Sequence, residues 1–157
     1  MPSPSELADK YLGGAAALRD AVAGMTRDQL TARPVPGRWS TLEVVAHLAD
    51  FDAILAERIK RIIALDHPKL LAADENLFAR ELHYHDRDVE EELRLIELTR
   101  AQLARVIRRL APGQLARTGE HSLKGPVTLE QVIVTATNHI PHHLPFIADK
   151  RKALAGG

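Results

Sequence analysis

"TLEQVIVTATNHIPHHLPFI", residues 128–147, decides how the rest of the chain is read. Thr128 followed by Gln131 is a helix-start pattern, in which a hydroxyl and an amide side chain satisfy backbone N–H groups that the first turn leaves unpaired. Leu129, Val132, Ile133 and Ala136 then recur at helical spacing and mark an inward stripe. The stripe runs into three histidines within five residues, His139, His142 and His143, with Pro141 and Pro145 among them. Buried helices rarely carry imidazole, and an interior proline costs about 3 kcal/mol because it removes a hydrogen bond and crowds the preceding turn. Two readings stay open. In one, the helix stops near His139 and restarts at Pro141. In the other it continues, and a ligand shared by the histidines offsets the cost.

The same start pattern opens three other long periodic segments. Ser3 precedes Glu6 around Pro4, Ser40 precedes Glu43, and Asp88 precedes Glu91. Behind them lie the stripes Leu7–Tyr11–Ala15–Leu18–Val22, Val44–Leu48–Phe51–Leu55–Ile59–Ile62 and Val89–Leu93–Ile96–Leu103–Val106–Leu110. No segment alternates with period two for long, and aromatic residues make up 4% of the chain. The Pro- and Gly-rich stretches 31–39 and 111–127 read as long connections, and residues 66–87 as a short helix or packed loop. The expectation is an all-α fold, a four-helix bundle with long connections, spanning residues 1–157 as one domain.

Composition narrows the function. Lys plus Arg and Asp plus Glu both number 21, so the formal net charge is zero and no basic field favours nucleic acid or a membrane surface. The basic run 105–110 ends an amphipathic helix, where cations suit the dipole. There are no cysteines, which excludes disulfides, thiolate metal sites and a cysteine nucleophile. The N-terminal residues lack the pattern of a secretory signal, and no apolar run approaches the roughly 20 residues of a membrane span. A cytoplasmic location is expected.

Among the eight histidines, three share a context. His139 and His143 are four apart, hence about 40° apart around a helix and one turn apart along it. His47 lies on the inward stripe of the second long helix, about two turns past Ser40, and His139 lies about three turns past Thr128. Facing residues at similar depth can converge. Three neutral imidazoles with no evident fourth protein ligand describe an open site suited to Zn²⁺, Ni²⁺ or Fe²⁺. Three separately satisfied core histidines are the competing reading. His142 points about 100° away from His143 and is left out.

"GRWSTLEVVAHLADFD" (37–52) and "GPVTLEQVIVTATNHIPHHLPFI" (125–147) resemble the second and last helices of the DinB-like (DinB/YfiT) superfamily, and the segment between them resembles the middle of that superfamily. The resemblance implies a four-helix bundle, often a homodimer, with a divalent metal held by His47, His139 and His143. It further implies, among other activities, transfer to or from a low-molecular-weight thiol such as bacillithiol or mycothiol, the metal presenting a thiolate to an electrophilic small molecule. A metal-dependent hydrolase and a non-catalytic metal- or ligand-binding dimer are the alternatives. Relatives often read "HHLxQI" where this chain has Pro145 and Phe146. No catalytic residue is assigned by the sequence. Asp50, Glu43 and Trp39 read as a stripe-edge polar residue, a capping residue and a packing residue before the cap. His83 and His85 read as surface or cap residues, while His67 and His121 fall in connections.

Overall fold

The computed structural model describes residues 1–156. Four long helices carry the fold: α1 (Pro4–Val22), α3 (Thr41–Ala64), α5 (Val89–Arg108) and α6 (Leu129–Ala155). Each begins where its capping residue stands. Ser3, Ser40 and Thr128 accept from the third backbone N–H of their helices, and Glu6, Glu43 and Gln131 return a bond to the cap's own N–H. Asp88 accepts from Glu91 N at 2.9 Å and caps α5. The helix through the two prolines continues: α6 runs unbroken past Pro141 and Pro145.

Helices α1 and α3 each pack on both α5 and α6 and thus occupy opposite corners of the bundle. The passage from α1 to α3 crosses a diagonal, by way of the short helix α2 (Arg27–Thr31). The passage from α5 to α6 crosses the other. That link holds two of the three strands in a small sheet, β1 (Lys69–Leu70), β2 (Thr118–His121) and β3 (Gly125–Thr128). β1 pairs parallel with β2, and β2 antiparallel with β3. The strands are 2–4 residues long, too short to show an alternation in sequence. The segment 66–87 resolves into β1, the helix α4 (Glu75–Glu81) and a 3₁₀ turn at Tyr84–Asp86.

The core has two apolar layers. Tyr11, Ile59, Ile62, Leu103, Ile107 and Ile133 lie in one; Leu18, Val45, Leu48, Ile96 and Ile140 lie in the other. Each fully buried aliphatic side chain contributes roughly 1.5–3 kcal/mol. Between the layers stands an ion pair. Arg100 of α5, wholly buried, donates to Asp52 of α3 at 2.7 and 3.1 Å, to Tyr11 O of α1 at 2.6 Å and to Ala136 O of α6 at 3.0 Å. One guanidinium therefore touches all four bundle helices. Its planar fork of donors makes this possible, since an ammonium offers no such spread.

Candidate metal centre

Two helices bring the site together. α3 places His47 seven residues beyond its cap, on the face shared with Val44 and Leu48, and the side chain is 1% exposed. α6 places His139 and His143 on successive turns of one face, both half-buried. The Nε2 atoms of His47 and His139 lie 3.0 Å apart. One ring nitrogen from each of the three histidines lies within 4.8 Å of the other two. The sequence-selected residues His47, His139 and His143 are thus gathered at one point. His142 is exposed and turned to the neighbouring cavity.

The electrostatics suit ligation. Burial pushes His47 down to about 3, with the neighbouring His139 and His143 adding to the shift. Burial likewise lowers His139 and His143, each to about 4. All three are therefore neutral at physiological pH, the state in which imidazole donates a lone pair to a metal. The donor set fits a divalent ion. Tetrahedral ligands at 2.0–2.1 Å place two nitrogens about 3.3 Å apart, close to the observed spacing of the first pair. The Nδ1 atoms of His47 and His139 are buried and have no hydrogen-bond partner among the described residues. Packing orients the His47 ring instead: its centroid is 4.6 Å from Phe51 and 5.2 Å from Trp39.

A carboxylate that the sequence reading did not select stands at the same point. Glu75 opens α4, whose cap Asp74 accepts from Asn76 N and Leu77 N. Its Oε2 lies 3.7 Å from His47 Nε2. α4 is held over the site by Phe78, whose ring packs on Phe51 at 5.6 Å. No spacing in sequence relates Glu75 to the histidines; a connection delivers it. Lys150 was also missed, although it continues the α6 face seven residues past His143. It is 4% exposed, and burial, with Arg38 nearby, lowers it below the ordinary lysine range.

The site opens through His143 into a cavity of about 550 Å³ between α6, α4 and the loop before α3. Arg38 and Lys150 supply cationic groups, Glu75 and Asp149 acidic ones, and Trp39 and Phe146 apolar walls. Phe146 lies edge-on to His142 and His143. Trp39 does more than pack before the cap, since it also stands over His47. Asp50 is not at the site: Arg87 holds it at 3.1 Å and joins it to Glu92. Glu43 is engaged by Ser40 N and Arg33. His83 and His85 are exposed. His67 bonds to Thr118 at 2.8 Å, and His121 lines a different cavity.

Comparison with known proteins finds relatives of this chain. A family model described as the DinB superfamily matches residues 12–147. A protein of Oceanobacillus iheyensis named "Putative metal-dependent hydrolase OB0782" is 30% identical over 137 residues, covering 86% of this chain and 79% of that protein. "Putative metal-dependent hydrolase YfiT" of Bacillus subtilis is 27% identical over 135 residues, covering 85% and 76%. The solved structure of Bacillus subtilis YfiT, described as a "probable metal-dependent hydrolase with an unusual four-helix bundle topology", superposes with a TM-score of 0.89 at 24% identity, over 97% of this chain and 87% of that one. The family model spanning residues 12–147 and the relative 30% identical over most of the chain lead to one conclusion: this chain belongs to the DinB superfamily.

Proposed function

We propose that this protein is a metal-dependent hydrolase in which His47, His139 and His143 hold one divalent ion and Glu75 serves as general base. The observation that carries the proposal is the convergence of three neutral imidazoles within 4.8 Å, with the Glu75 carboxylate 3.7 Å from His47. Zn²⁺, Ni²⁺ and Fe²⁺ all suit such a nitrogen set. A divalent ion held there supplies the positive charge that acidifies an adjacent water or thiol and polarises a carbonyl.

The protein's own residues supply the rest. Glu75 Oε2 would take the proton released as water becomes a nucleophile, and α4, held by its Asp74 cap and by Phe78, carries that residue over the site. Arg38 and Lys150 hold an anionic part of the substrate at the cavity's other end. Trp39 and Phe146 exclude water from its apolar part, which strengthens the polar contacts inside. A small-molecule substrate follows from the cavity volume, which falls within the range of ligand pockets. A homodimer in the cytoplasm belongs to the same reading, on the strength of the family resemblance.

Thiol S-transfer is the second reading. It is favoured by a cavity of about 550 Å³, far beyond the roughly 30 Å³ of a water, and by Arg38 and Lys150 as partners for a carboxylate-bearing thiol. Glu75 would then take the S–H proton. The two readings separate in one assay. The metal-loaded protein is incubated with an ester and amide panel and with a panel of electrophiles, each with and without bacillithiol, mycothiol or glutathione. Hydrolysis predicts turnover without thiol and a loss of about 10²-fold or more in Glu75→Gln, the usual range for a general base. Turnover only with a thiol and an electrophile selects S-transfer. No turnover with either contradicts both readings and leaves a metal- or ligand-binding protein.

A further inference from the structure

A second cavity, of about 350 Å³, opens farther along the same two helices, next to the small sheet. Arg58 of α3 lies eleven residues beyond His47, about 16 Å along the helix axis, so this cavity is distinct from the metal centre. Leu55 and Leu70 form an apolar floor, and Arg58, His121 and Lys124 supply its ionisable lining. No carboxylate lines it.

The three basic groups have unused donors. Arg58 gives Nη2 to Leu71 O, but its Nε is buried and has no acceptor among the described residues. Glu57, the carboxylate whose charge reaches Arg58, is itself engaged by Arg61. His121 accepts at Nδ1 from the backbone N–H groups of Leu123 and Lys124, at 3.2 and 3.3 Å. An accepting Nδ1 has a lone pair, so the ring hydrogen is on Nε2, which is a free donor. The Lys124 side chain makes no hydrogen bond or ion pair among the described residues. Arg58 and Lys124 both oppose protonation of His121, second to its burial, so the three groups lie within one another's field.

Arg58 and Lys124 bring two cations to a cleft whose lining holds no carboxylate, which leaves a local positive field without a counter-charge. A bound anion supplies that counter-charge. We propose that this cleft is an oxyanion-binding site, holding a phosphate-sized group by the Arg58 guanidinium, His121 Nε2 and the Lys124 ammonium. Thr135 contributes nothing to it, because its hydroxyl already donates to Gln131 O at 2.8 Å. The volume exceeds that of a phosphate, so the phosphate end of a small molecule also fits.

The test uses the whole protein with inorganic phosphate and, separately, glycerol 3-phosphate, titrated against chloride at matched ionic strength. Calorimetry gives affinity and thermal unfolding gives the Tm shift. Wild type is compared with Arg58→Gln, Lys124→Ala, Lys124→Glu and His143→Ala. The proposal predicts saturable binding that weakens about tenfold or more in Arg58→Gln and Lys124→Ala, and persists in His143→Ala. Tighter binding of the ester identifies a phosphorylated metabolite, and tighter binding of phosphate identifies the free ion. Lys124→Glu provides an internal carboxylate, and is predicted to raise Tm without phosphate and abolish the response to it. If Arg58→Gln fails to fold, the two Lys124 variants still decide the matter. An equal Tm shift in every variant is general salt stabilisation and overturns the proposal, as does loss of binding in His143→Ala alone.

Discussion

Arg100 and Asp52 are bonded at the centre of the bundle, 0% and 1% exposed, with the guanidinium Nη2 2.7 Å from a carboxylate oxygen. Burial raises the Asp52 carboxyl and the guanidinium opposes that shift. Removing one partner leaves the other charge in an apolar layer. Arg100→Leu is therefore expected to lose about 3–5 kcal/mol of stability, and pairing it with Asp52→Leu to recover most of the loss. Urea unfolding of the two variants checks this; equal instability in the double variant would show that the backbone bonds to Tyr11 and Ala136 matter more than the charge pair.

Gly14 gives a finer test of the same layer. A Cβ there would lie 2.7 Å from Arg100 Nη1. Alanine ordinarily improves a helix interior by up to about 1 kcal/mol over glycine. Here the guanidinium is held by three neighbouring helices and has no room to yield. Gly14→Ala is expected to destabilise by about 1–3 kcal/mol, the range for overpacking, whereas Gly13→Ala, with open space around it, should stabilise. Thermal unfolding of both variants gives opposite signs if this is right.

Pro141 and Pro145 sit within a continuous helix, and both are exposed. Pro141→Ala restores a donor for Thr137 O and removes the ring clash, so it should stabilise by up to about 3 kcal/mol. An unchanged or lower unfolding midpoint would mean that the helix is shaped around the proline.

The three histidines set a pH dependence for the metal-free protein. Their folded values, about 3 for His47 and about 4 for His139 and His143, lie below the ordinary 6.5 of the unfolded chain. Between these values the unfolded state binds protons that the folded state does not. Stability is therefore full above pH 6.5 and falls as pH drops toward 4, by up to about 1.4 kcal/mol per pH unit for each histidine. Denaturant midpoints measured with chelator from pH 7.5 to 4.5 should decline more steeply in wild type than in His47→Leu. Parallel curves would mean that His47 titrates normally.

Much of this was written in local sequence. The caps Ser3, Ser40, Asp88 and Thr128 mark the four long helices, because capping is a contact between residues three apart. His47, His139 and His143 were legible for a related reason: helical spacing fixes their faces and distance from a cap fixes their depth. The Arg100–Asp52 pair was not, since a lone arginine in a stripe resembles any exposed arginine until four helices close around it. The strands went unread because Lys69 and Leu70 pair with Glu120 and His121, about fifty residues away. Glu75 was invisible for the same reason. Only tertiary structure carries α4 across to His47.

The most direct test of the account is metal content by mass spectrometry on untagged protein, wild type beside His47→Ala, His143→Ala and Glu75→Gln. About one divalent ion per chain is expected in wild type and Glu75→Gln, with loss of the ion in both histidine variants. Wild-type protein without metal, even after incubation with Zn²⁺, Ni²⁺ or Fe²⁺, would contradict it and make the three histidines core residues.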